Sequence, residues 1–82
     1  MKTRKLLNIL TQFISADRRA QMKNIKSIQR VLKELKKKEN HYKDKLVKEK
    51  NQKEYEEIEK KLRVIYAQRK KGVTLLKELQ DK

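Results

Sequence analysis

The stretch YAQRKKGVTLL, residues 66–76, sets three cations, Arg69, Lys70 and Lys71, ahead of the chain's only glycine and then returns to apolar residues. Read locally, it is a helix end. Cations favour the negative pole of the helix dipole, and glycine commonly follows the last turn. Read at longer range, it is helix interior. Tyr55, Ile58, Leu62, Ile65, Arg69, Gly72, Leu76 and Leu79 follow one another in steps of three and four, the repeat of a coiled-coil seam. Only Arg69 and Gly72 depart from it in character, and the phase runs through both without a slip. A continuous helix to about Leu79 is therefore expected, although glycine in a helix interior costs roughly 1 kcal/mol. The missing side chain would let a neighbouring helix approach closely. The Arg69 stem is expected to lie along the seam with its guanidinium in water.

A second seam lies upstream: Ile25, Ile28, Leu32, Leu35, Glu39, Tyr42 and Leu46, with Glu39 the one charged member. Continued past Leu46, it would meet Glu49, Lys53 and Glu56, all charged. The downstream seam starts at Tyr55, out of phase with the first. A chain reversal within VKEKNQKE, residues 47–54, accounts for the break. Asn51 is its best turn residue, because asparagine tolerates the left-handed conformation. Folding about Asn51 would set Gly72 opposite Ile28 and Arg69 opposite Leu32. The expected fold is all-α: an antiparallel, coiled-coil-like helical hairpin with helices over 18–47 and 54–80 and a turn over 48–53. The competing arrangement is one long helix paired with a second chain.

The N-terminal segment, residues 1–16, carries a third apolar cluster: Leu6, Leu7, Ile9, Leu10, Phe13 and Ile14. It marks an amphipathic helix with a face wider than a coiled-coil stripe. Ser15 and Asp17 can cap a following helix, so ISADRRA reads as a corner. Alternatively, the segment extends the next helix without a break. Side chains of this size are worth roughly 1.5–3 kcal/mol each when buried. The segment therefore either folds back over the open end of the hairpin or serves as an interface to another molecule, including a second copy of the chain.

Composition sets the outer limits. Eighty-two residues make one small domain. With no proline and one glycine there is little turn chemistry for a sheet-rich fold. The chain has no cysteine, which fits a reducing cytoplasm. No run approaches the ~20 apolar residues of a membrane span. MKTRKLLNILTQFISA reads as mature sequence, because Asn8, Thr11 and Gln12 interrupt its apolar run.

Catalysis is not expected. His41 is the only histidine, and no glycine-rich phosphate loop is possible. Glu54, Glu56, Glu57 and Glu59 lack the Glu-x-x-His pairing of bundle metal sites. Glu56–Lys60 and Glu57–Lys61 read instead as helix-supporting charge pairs at a spacing of four residues. No cofactor or metal is expected.

Charge is the remaining signal. The net formal charge is +14. Residues 1–33 hold nine Lys/Arg against one acid, whereas residues 54–82 hold eight against six. The excess thus gathers at the end of the hairpin away from its turn. Arg18, Arg19, Lys23, Lys26, Arg30 and Lys33, joined across the hairpin by Arg69, Lys70 and Lys71, form the expected anion-binding band. Such a band suits the phosphates of RNA or DNA, a ribonucleoprotein surface or an acidic protein. The plainer account is a lysine-rich solvated surface. Two further readings are a structural adaptor that self-associates or docks a protein through the apolar arm, and a membrane-surface module anchored by Lys2, Arg4 and Lys5 beside that arm.

Overall fold

The computed structural model describes residues 2–80. They form four helices: α1 (Thr3–Ser15), α2 (Arg18–Lys23), α3 (Ile25–Lys48) and α4 (Gln52–Gln80). The two long helices pack against each other as an antiparallel hairpin, and α1 folds back onto both. Thr3 and Leu7 of α1 border the same groove as Lys38 and Tyr42 of α3, so α1 runs against α3 and alongside α4. At 1.5 Å per residue the 13 residues of α1 cover far less length than the 29 of α4. The molecule is therefore three helices thick at its base and two at its tip, with extents of 47 × 19 × 18 Å.

The core follows the two seams and adds α1. Leu6, Leu10, Ile28, Val31, Leu32, Leu35, Ile65, Leu75 and Leu79 form one buried cluster. Leu7, Ile9, Phe13, Ile14, Ile25, Tyr42 and Leu76 pack around it, partly buried. Ile58 is buried outside this cluster, on the tip side of it. The apolar face of α1, expected either to fold back or to meet another molecule, is used within the chain. The physical reason is room. Gly72 leaves a notch in α4, and a Cβ built there would stand 2.7 Å from Leu32 Cδ2 and 3.1 Å from Leu10 Cδ1. Helix α4 runs through Gly72 unbroken, as the seam spacing implied. The neighbour of Gly72 is Leu32, one turn nearer the tip than the expected Ile28.

Two corners shape the chain. At the first, Asp17 caps α2 by accepting from the Ala20 amide at 2.8 Å. Gln21 is buried, and its Nε2 donates to the carbonyl oxygens of Phe13 and Ile14 at 3.0 and 3.2 Å. That amide bonds two carbonyls of the last turn of α1, of which Phe13 O also accepts from the Ala16 amide at 3.2 Å, and ties α2 to the end of α1. The single helix expected over 18–47 is instead broken at Asn24. There ψ rises to 20°, and the backbone N–H bonds to Gln21 O at 3.1 Å. The Asn24 side chain donates to Ala20 O at 2.8 Å, competing for a helical carbonyl.

The hairpin turn is shorter than the expected 48–53: residues 49–51 suffice, because α4 begins at Gln52. Asn51 does not adopt a left-handed conformation, and no residue other than glycine has a positive φ among the described residues. It works as a cap instead. Its Oδ1 accepts from the amides of Lys53 at 2.9 Å and Glu54 at 3.3 Å.

The notch at Gly72 is testable. Gly72→Leu has no space for its side chain and is expected to lose about 2–3 kcal/mol of stability in urea denaturation. Gly72→Ala is expected to lose less, because about 1 kcal/mol of helix propensity offsets part of the overlap. Wild-type stability for Gly72→Leu would show that α1 is not seated there.

Candidate functional site

The two charged seam residues find each other. Arg69 Nη1 donates to Glu39 Oε1 at 3.0 Å. Glu39 is 5% exposed, and the Arg69 side chain 22%. Lys43 adds a longer contact, 3.8 Å, to the same carboxylate oxygen. Burial of an isolated charge is costly, and pairing offsets that cost. The match is incomplete, since Arg69 Nε is buried without a hydrogen-bond partner among the described residues. The pair joins α3 to α4 at one register. It also corrects the reading of Arg69: the guanidinium is directed onto buried Glu39 instead of being left free in water, with the side chain still partly exposed.

The remaining band residues divide by helix face. The α3 residues on the flank toward α1 are Lys38 and Tyr42, and those of α4 are Lys60, Lys61 and Val64. The opposite flank of the hairpin is uncovered. On the back of α3, opposite its buried face, Lys26, Arg30, Lys33 and Lys37 are all exposed, at successive spacings of four, three and four, which align them in one stripe. Tyr66, Lys70, Val73 and Lys77 repeat the pattern on α4 and are exposed too. These four α4 side chains, with Arg69 and Thr74, line a shallow depression of about 340 Å³. The α3 stripe thus runs along the back of its helix, opposite the buried Ile28 and Leu35, while the α4 stripe borders the Arg69 side chain that pairs with buried Glu39.

Lys26, Arg30 and Lys33 lie on the back of α3, and Lys70 lies on the α4 flank away from α1. Lys71 is set apart, because its position in the helical repeat puts it on the α1 flank with Val64. Arg18, Arg19 and Lys23 are exposed on α2, off the stripe, and Arg18 lies 3.8 Å from Glu78. Lys37 and Lys77 complete the stripes and were missed in sequence. Their signal was present as spacing, once the flank that α1 covers is known. Lys37 also makes a surface contact with Glu34 at 3.6 Å. Among Leu6, Leu7, Ile9, Leu10, Phe13 and Ile14, the two best buried, Leu6 and Leu10, are 1% and 0% exposed. An intermolecular interface or membrane anchor built on them would have to displace the fold's own core.

His41 is exposed, with its ring tilted against that of Tyr42 at 5.8 Å. Among the described residues no three His, Asp or Glu side chains converge as a metal site would require, and no helix is long and apolar enough to cross a membrane. Comparison with protein-family models, curated proteins and solved structures finds no match.

The ion pair yields a direct stability test. Arg69→Met strands the Glu39 carboxylate and is expected to cost about 2 kcal/mol in urea denaturation, below the ~3–5 kcal/mol of a fully buried pair because Arg69 is partly exposed. Combining it with Glu39→Leu is expected to restore stability to within about 1 kcal/mol of the parent. Equal losses for the single and double variants would mean that the pair does not join the helices.

Proposed function

We propose that the protein is a non-catalytic binding module that holds an anionic polymer, RNA or DNA, on the exposed basic stripes of its two long helices. The observation that supports this reading is the pair of basic stripes, Lys26, Arg30, Lys33 and Lys37 along the back of α3 and Lys70 and Lys77 on the flank of α4 away from α1, all exposed. Stripes of this kind contact phosphates and displace condensed counterions. They carry no sequence readout of their own, since phosphate contacts position a partner while base-edge contacts specify it. Tyr66, 61% exposed and flanked by Lys70 in the same stripe, offers one ring for a base to stack on. One ring serves contact better than discrimination, so binding is led by charge and shape.

Fluorescence anisotropy with a short duplex DNA and an RNA hairpin tests the reading. About four phosphate contacts give a log–log salt slope near −4 on duplex DNA. Lys33→Glu combined with Lys70→Glu is expected to weaken binding severalfold on every sequence and to make the slope shallower by about 2. A flat salt response, or full affinity in this double variant, would refute the assignment of the stripes.

A further inference from the structure

The opposite flank holds a second feature, which the basic stripes do not include. Where α1 ends and the molecule thins from three helices to two, Lys2, Thr3, Arg4 and Leu7 of the N-terminal segment meet Lys38 and Tyr42 of α3 and Lys60, Lys61 and Val64 of α4. Together they enclose a groove of about 570 Å³. Its floor is apolar: Leu7 and Tyr42 are half-buried, and Val64 is 49% exposed. Five of its nine lining residues are cations and none is an acid. None of those five cations has an ion-pair partner among the described residues. In addition, α1 opens with no side-chain cap and no acid in its first turn, so its positive pole adds to the same field.

We propose that this groove is a docking site for an acidic peptide segment of a partner protein, one that carries an apolar anchor side chain among several carboxylates. Two requirements select this occupant. The cations surround the floor, so one negative head group leaves most of them unmatched, whereas a run of Asp or Glu reaches several at once. The floor calls for a side chain to exclude water, and a concave apolar floor within a polar rim is how anchor residues are held. A nucleic acid backbone meets the first requirement and not the second. The one aromatic ring in the groove, Tyr42, is half-buried and already has the Lys61 ammonium 5.6 Å from its centroid, which leaves no open platform for a base. The site shares no lining residue with the basic stripes, so one chain can bring an anionic polymer and an acidic protein segment together.

The test uses the full chain and a short synthetic peptide with one phenylalanine flanked on both sides by glutamates. It binds with methyl shifts at Leu7 and Val64, and about tenfold more tightly than the same peptide with serine in place of phenylalanine. Val64→Asp, at a half-exposed position that leaves the fold intact by circular dichroism, loses about tenfold in affinity. Lys38→Glu combined with Lys61→Glu does the same. Lys48→Glu combined with Lys53→Glu, an equal charge change at the tip, loses less than about threefold at physiological salt, where screening acts over roughly 8 Å. The proposal is overturned if the serine peptide binds as tightly, if the tip variant loses as much as the groove variant, or if an oligothymidylate produces the same groove shifts with equal affinity.

Discussion

Everything in the arrangement depends on the close approach of three helices at Gly72. Leu10 from α1 and Leu32 from α3 both press into the space that a side chain would occupy on α4. Packed interiors leave no slack for an extra methyl group, so glycine is what permits α1 to seat at this level. Once α1 is seated, its apolar face is covered and one flank of the hairpin is closed. The charge asymmetry of the molecule then acquires a direction. The closed flank holds a cation-rimmed groove at the N-terminal end of α1, while the basic stripes lie away from α1, on the back of α3 and the open flank of α4.

The Glu39–Arg69 pair makes a different contribution. It links α3 to α4 at one register through a contact of 3.0 Å in an otherwise apolar seam. A buried polar pair is a known device for fixing register at some cost in stability. The unpartnered Arg69 Nε is consistent with such a cost. Because the pair removes one guanidinium from the surface, the positive charge available to a partner comes mainly from lysines on the helix backs. Lysines there are well placed for phosphate contact and poorly suited to planar, bidentate recognition.

The hairpin itself was legible in the sequence. Two seams out of phase with each other permit few arrangements, and the uninterrupted spacing through Gly72 outweighed its local look as a helix end. The pairing of Glu39 with Arg69 was not read, although each was the odd member of its seam, because pairing them requires the register and the register requires side-chain packing. Gln21 gave no signal, since an amide that caps a preceding helix from eight residues downstream looks like any surface glutamine. Asn51 was placed at the turn for the wrong reason: it caps a helix in ordinary backbone geometry. The basic band was read as a collection of residues from both long helices. The position of α1 sets Lys71 apart on the covered side, the ion pair sets Arg69 apart, and helical spacing adds Lys37 and Lys77 to the exposed stripes.

The seating of α1 is measured most directly by nuclear Overhauser contacts at Gly72, in a sample mixing isotope-labelled and unlabelled chains. Intramolecular contacts from the Gly72 α-protons to the methyl groups of both Leu10 and Leu32 are the predicted result. Contacts to Leu10 that arise only between chains, or none at all, would contradict the account.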